Sequence, residues 1–418
     1  MKTIKNLLLA FMCLVSASAM AQKYVGGDIS LLPSYEENGS KYLDQDGTPI
    51  DDVILFSKDN GLNAMRVRLF VDPSKAPAEA KRQGVCQDLD YVKALGKRIK
   101  DAGLKLMLDF HYSDTWADPT NQWTPDAWKS LDDDALYQQI YDYTKDVLQE
   151  LKAAGAEPDF IQTGNEISYG LCWGPINTKT PVKSWENWDR FTTLLKQAGK
   201  ACREECPEAK IIIHTELVRN TGVLTDFYNH MRDASVDYDI IGTSFYSYYH
   251  GNLEQLEAAL KLMEGYGKDI MIVEVGYFYA WQPEISGSGA DLSDLYPVSG
   301  EGQAAYTQAL IDVLNRHERV TGLFWWMMEA NEYGHTGAQQ TTNDWYNASL
   351  WDDRTGHVNP AFFLLQDFLE GQADGIRQPE QAWPASQDDA WYTLSGLRVS
   401  HPVPQGLYIH HGKKCLYK

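Results

Sequence analysis

At 418 residues the chain exceeds one ordinary domain, yet a single αβ barrel with appendages reaches that length. Its 58 acidic and 37 basic residues give a net charge of −21, a field that repels phosphate backbones and argues against a nucleic-acid partner while leaving a neutral ligand unaffected. The 13 Trp and 24 Tyr supply flat apolar faces of the kind that pack on sugar rings; six scattered cysteines make no disulfide framework, and no His/Cys cluster has zinc spacing.

Residues 1–21 carry Lys2 and Lys5, an apolar run from Leu7 to Val15 and a small-residue site at Ala19-Met20-Ala21, the pattern of a cleaved signal peptide. Export across the inner membrane is expected, to the periplasm, the cell surface or the medium. No later uncharged stretch approaches the roughly 20 apolar residues of a membrane span. Cys202 and Cys206 lie four apart on an expected helix, where disulfide geometry is poor, so free thiols are predicted.

From Tyr24 to Leu369 short β-rich apolar runs alternate with amphipathic helical stretches, the mark of repeated βα units. Eight strands are predicted: 24–29, 64–69, 105–110, 160–163, 211–214, 240–244, 270–274 and 322–326. Helical patterns cover Asp51 to Asn60, Leu89 to Ala102, Asp133 to Ala154, Trp188 to Glu205, Leu253 to Gly265 and Gly302 to Arg316. Gly61, Gly103 and Gly155 each end a helix just before a strand, as a left-handed C′ residue does. Eight such units close a (β/α)8 (TIM) barrel over 22–370, with its chemistry expected on the loops at the carboxyl ends of the strands. Residues 371–390, rich in Gly, Gln and Pro, read as a linker, and 391–418 as a short C-terminal β-type tail.

Glu166 closes strand 4 and Glu274 closes strand 7, so two carboxyls would face one mouth, as glycosidic bond cleavage requires. An acid ending a buried apolar strand must be hydrogen-bonded or functional, because an unpaired buried charge is costly. Arg66 and Arg68, two apart on strand 2, share a face; one or both are expected to point into the mouth, orient the nucleophile and keep it ionised, and both are candidate substrate-binding residues. His111, after Asp109-Phe110, is expected at the rim as a donor to sugar hydroxyls.

The run Leu108 to Pro119, LDFHYSDTWADP, together with Gly26 to Ser30, Asn63 to Arg68 with Asp72-Pro73, Gln162 to Glu166 and Tyr246 to Gly251, resembles glycoside hydrolase family 53, the endo-β-1,4-galactanases. The resemblance implies Glu166 as acid/base, Glu274 as nucleophile, Asn165 as ligand of the hydroxyl beside the reacting carbon, Tyr246 as donor to Glu274, and Trp326 as floor of the cleaved sugar. It also implies a retaining double displacement on pectic β-1,4-galactan by a monomer that needs no cofactor for catalysis. Some relatives hold a structural calcium between the last two βα loops, where this chain has Asp291, Asp294 and Glu301. Met327-Met328 and Val275-Gly276 depart from the family pattern and change the local cleft lining. A mannanase- or cellulase-type retaining glycosidase and a glycan-binding barrel without catalysis stand as the alternatives.

Overall fold

The computed structural model describes residues 22–370 apart from 283, 286, 288 and 336–339, and beyond them four short strands. The expected signal peptide and linker lie outside the described residues. Two compact units are present, Met1–Gly371 and Gln372–Lys418.

In the first unit eight parallel strands pair in chain order into a closed barrel, the (β/α)8 fold expected from the sequence. They are β1 (Tyr24–Asp28), β2 (Ala64–Leu69), β3 (Lys105–Phe110), β4 (Phe160–Thr163), β5 (Lys210–Thr215), β6 (Ile240–Phe245), β7 (Asp269–Val275) and β8 (Val320–Trp325). The long helices are α1 (Val53–Asp59), α2 (Leu89–Asp101), α3 (Asp133–Ala153), α4 (Trp188–Glu205), α5 (Thr221–Asp233), α6 (Leu253–Glu264) and α7 (Gly300–Leu314). Side-chain oxygens close their exposed first turns: Asp88 accepts from the Tyr91 N–H, Asp132 from Ala135 and Ser299 from Gly302. Gly61, Gly103 and Gly155 take φ of 91°, 79° and 77°, the left-handed ends that their spacing suggested.

Helix α5 is absent from the sequence reading. Its core face is regular, with Leu224, Phe227, Tyr228 and Met231 buried, but it begins at Asn220-Thr221-Gly222, which reads as a turn. There Asn220 is the cap, accepting from the Val223 N–H.

The barrel interior is layered. Ala64, Met107, Phe160, Ile212, Ile240, Met271, Val273 and Phe324 form an apolar plug, separate from the larger cluster that joins the outer strand faces to the helices. Two residues further along four of these strands the same inward face carries Arg66, Asp109, Gln162 and His214, all buried. Strand β7 needs a correction of phase to follow suit. Thr243 pairs with Ile272 and Ser244 with Glu274, so Val273 is an extra residue opposite β6, and this bulge turns Glu274 inward although Met271 and Val273 already face in.

In the second unit four antiparallel-paired strands, β9 (Trp391–Tyr392), β10 (Arg398–Val399), β11 (Leu407–His410) and β12 (Lys413–Leu416), form a sheet in the order β10-β9-β11-β12. No helix among the described residues is long and apolar enough to cross a membrane. Cys86, Cys172, Cys202 and Cys206 are free thiols.

Candidate active site

Above the apolar plug opens a cleft of about 440 Å³ lined by Glu166 and Glu274 together with Arg66, His111, Asn165, Tyr246 and Trp326. The two glutamates reach it by different routes. Glu274 is the penultimate residue of the bulged β7 and is 6% exposed. Glu166 follows β4 at the turn Gly164-Asn165-Glu166, where Gly164 has φ 108° and Glu166 itself has φ 45°, a conformation an L-residue adopts only when its surroundings enforce it. A Cβ on Gly164 would come within 2.6 Å of the Ile167 side chain, so the turn also needs glycine for space. The Glu166 N–H donates to His214 Nδ1 at 3.2 Å and the Ile167 N–H to the His214 carbonyl at 2.9 Å, tying the turn to β5.

Arg66 organises the upper layer. Its guanidinium donates to Asp28 at 2.9 Å and to Asp109, Asn165 and Glu274 at 2.8 Å each. These partners raise its pKa further against the opposing effect of burial, so it is permanently charged. Burial pushes Asp109 up, but Arg66 and the His111 ring overcome this and hold it below the ordinary carboxylate value. The Tyr246 hydroxyl donates to Glu274 Oε2 at 2.9 Å, and Ser244 Oγ donates to the same oxygen at 3.4 Å.

This asymmetry separates the two acids. Burial raises both, Glu274 to about 7, but Arg66 and Tyr246 act against the rise on Glu274. Glu166 is raised well above its ordinary value by burial and then by the Glu274 charge. Glu274 therefore ionises first and Glu166 keeps the proton. Burial and the Arg66 charge drive His214 far below its usual pKa, so the ring is neutral. With Nδ1 accepting from the Glu166 N–H, its Nε2–H donates to Ser244 Oγ at 2.8 Å, which leaves the hydroxyl proton for the carboxylate.

Asn165 is anchored by its oxygen on Arg66 and by one amide hydrogen on the Ala117 carbonyl at 2.7 Å, leaving the second N–H for the cleft. Trp326 packs edge-on against Trp345 with ring centroids 4.6 Å apart, and Trp345 lies 5.1 Å from Tyr246, giving an aromatic wall.

Two expectations change. Arg68 is 0% exposed, donates to Asp28 at 3.0 Å and has Trp116 stacked 4.7 Å from its guanidinium, so it has no surface to offer a sugar and braces Asp28 instead. His111 does line the cleft, but Nδ1 accepts the Ala117 N–H at 3.0 Å and Nε2–H donates to Asp109 at 3.1 Å, so neither nitrogen is left as a hydroxyl donor. Asp291, Asp294 and Glu301, where some relatives hold calcium, form no recognisable metal loop in the sequence. Asp291 accepts from Ser293 N and Oγ at 2.9 and 2.7 Å, and no group of three His, Cys, Asp or Glu among the described residues stands close enough to hold an ion.

The sequence reading passed over several cleft residues: Glu216 after β5, Asp118 and Trp116 in the loop after β3, Tyr249 after β6, and Asp344 and Trp345 after β8. The family-like run Leu108 to Pro119 contains two of them. For Glu216, the acid directly after an apolar strand was the available signal, identical in kind to the one that marked Glu274.

A closed (β/α)8 barrel whose inner end presents one carboxylate held by arginine and one carboxylic acid in the same cleft has the fold and site of a glycoside hydrolase. The family model described as glycosyl hydrolase family 53 matches residues 24–365. A protein of Aspergillus fumigatus named a probable arabinogalactan endo-beta-1,4-galactanase A is 32% identical over 337 residues, 78% of this chain and 89% of its own length. The catalytic domain of a family 53 enzyme from Ignisphaera aggregans superposes with a TM-score of 0.72 at 30% identity, over 82% of this chain and 95% of that one. A structure from a study of two fungal beta-1,4-galactanases gives 0.68 at 28% identity, over 83% and 99%. The chain belongs to glycosyl hydrolase family 53.

Proposed function

We propose that this enzyme is an endo-β-1,4-galactanase that cleaves the β-1,4-galactan side chains of pectin with retention of configuration, and that it acts after export. The observation that carries the mechanism is that Glu166 and Glu274 line one cleft, with Arg66 and Tyr246 bound to Glu274. A carboxylate held by Arg66 and Tyr246 beside a carboxylic acid whose proton that charge helps to retain supplies the nucleophile and the acid/base that a retaining displacement needs.

In the first half-reaction the Glu166 acid gives its proton to the glycosidic oxygen while a Glu274 oxygen bonds to the anomeric carbon and the C–O bond to the leaving sugar breaks. Arg66 and Tyr246 hold Glu274 in line and keep it ionised until then. With Glu274 esterified its negative charge is gone, the pKa of Glu166 falls, and the Glu166 carboxylate takes a proton from the water that displaces Glu274. The free N–H of Asn165 is placed to bind the hydroxyl beside the reacting carbon, and Trp326 to stack on the sugar face. The reaction calls on side chains alone. Galactan as substrate rests on the likeness to enzymes named for it.

The test is a panel of β-1,4-galactan, mannan, cellulose and xylan, with the products followed by proton NMR. Galactooligosaccharides whose new reducing ends appear first as the β-anomer are expected. Preference for mannan or glucan, α-anomers first, or galactan binding without new reducing ends would overturn it.

A further inference from the structure

The mechanism above calls on Glu166 and Glu274 but not on the imidazole ring that stands between their strands. His214 is the penultimate residue of β5, and both it and Ser244 on β6 are wholly buried, out of reach of any sugar. Its Nδ1 receives the Glu166 N–H at 3.2 Å and the Gln162 side-chain N–H at 2.9 Å, Gln162 being held in turn by Asp109 at 2.5 Å. Asn165 Oδ1 stands 3.1 Å from the same nitrogen and is occupied by Arg66. On the other side of the ring Nε2 lies 2.8 Å from Ser244 Oγ, and Ser244 Oγ lies 3.4 Å from Glu274 Oε2.

A peptide N–H donates and never accepts, so the Glu166 amide fixes Nδ1 as an acceptor and leaves the ring proton on Nε2. Nε2–H then donates to Ser244, which turns its own hydroxyl hydrogen to Glu274 Oε2. A second proton on the ring is opposed by burial and by Arg66, His111 and His250, while Asp109 favours it. The result is a chain of three hydrogen bonds with one direction. Its first link braces the turn in which Glu166 takes φ 45°; its last adds a donor to the oxygen that Tyr246 holds at 2.9 Å, the other oxygen facing Arg66 at 2.8 Å.

We propose that His214 is a positioning residue for both carboxyls: its Nε2–H tautomer, set by the Glu166 amide, holds the acid/base turn and obliges Ser244 to donate to the nucleophile. One ring thereby keeps the proton donor in place and adds to the groups that hold Glu274 ionised. This rests on the reading of Glu166 as acid/base and Glu274 as nucleophile. Asn and Gln divide the two duties, because Asn can offer an acceptor where Nδ1 lies and Gln an N–H where Nε2 lies.

Nitrogen NMR of the histidine-labelled full chain reads the ring without any substitution that could unfold it. A His214 signal with Nδ1 bare and Nε2 protonated, unchanged between about pH 5 and 8, is expected, and the opposite tautomer or a ring that titrates in that range overturns the proposal. The pH profile of kcat/KM then reads its effect. Ser244→Ala and His214→Asn each remove the donation to Glu274, so the acid limb should move to higher pH by about half a unit in both, and their combination should move it no further. His214→Gln should keep the wild-type limb but lose about tenfold more kcat/KM on galactan than on an aryl β-galactobioside, whose leaving group needs little protonation. An acid limb that Ser244→Ala leaves in place, or shifts that add in the double variant, overturn the proposal. Glu274→Gln separates the two readings: if it stays active the nucleophile assignment is wrong, whereas if it is inactive and the Ser244→Ala limb is unmoved only the role of His214 is lost.

Discussion

Met107 and Asp109 lie two residues apart on one face of β3, yet they belong to opposite kinds of interior. Met107 sits in a plug of Phe160, Ile212, Met271 and Phe324, held by packing alone, whereas Asp109 joins Arg66, Glu274 and Asp28 in a buried charge network. Each residue of the plug contributes stability through its volume. The upper layer works the other way, because Asp28, Asp109 and Glu274, buried with the Arg66 and Arg68 guanidiniums, gain little net stability from the arrangement and depend on it to keep the charge in place. The same eight strands thus supply rigidity below and chemistry above, and a two-residue step along a strand moves a side chain from one regime to the other.

The largest expected effect falls on the upper layer. Glu274→Gln should cut turnover on galactan by about 10⁴-fold or more, with a melting temperature within about 3 °C of wild type; retained activity would refute its role. Next comes a matched pair read by chemical denaturation. Phe160→Ala should cost about 3–5 kcal/mol through the cavity it leaves, with turnover of the folded enzyme within about twofold of wild type. Arg66→Met should cost about 3–5 kcal/mol by removing the guanidinium that Asp109 and Glu274 face, Asp28 keeping Arg68, and should abolish turnover as well. A Phe160→Ala enzyme as inactive as Arg66→Met would erase the distinction between layers.

A smaller effect sharpens it. Tyr246→Phe removes a donor that favours ionised Glu274, so the Glu274 pKa rises and the acid limb of kcat/KM should move to higher pH, by about one unit. A limb that stays put would detach Tyr246 from Glu274. The smallest effect concerns stability. Glu166 has a folded pKa above its unfolded value, so its ionisation opposes folding only once the pH exceeds the ordinary carboxyl range. Glu166→Gln should therefore match wild type in melting temperature near pH 4 and gain about 1–3 °C by pH 8. A gain that shrinks with rising pH would contradict the raised pKa.

The barrel is legible in the sequence because β2, β3 and β4 are short apolar runs bounded by glycine-ended helices and by polar loops, and their predicted limits match the observed ones. The two glutamates are legible because each acid ends such a run. What fixes Glu274 inward is not legible: Ile270 to Val275 is almost uniformly apolar, and the bulge at Val273 appears only in its pairing with β6 and β8. The partners of Arg68 and His111 are not legible for a related reason. Strand phase places both side chains near the mouth, but their occupancy by Asp28, Asp109 and Ala117 is set by strand neighbours and by the loop that follows β3. Glu216 and Trp345 sit on loops that only barrel closure brings over Glu166 and Trp326.

Glu274 is the group proposed to attack the anomeric carbon. Incubation with an activated 2-deoxy-2-fluoro-β-galactobioside, followed by intact mass and peptide mapping, tests it directly. A single stoichiometric adduct on Glu274, with none on Glu166 or Glu216, is expected; an adduct on either of those residues, or hydrolysis of galactan with no covalent species at all, would rule out Glu274 as the nucleophile.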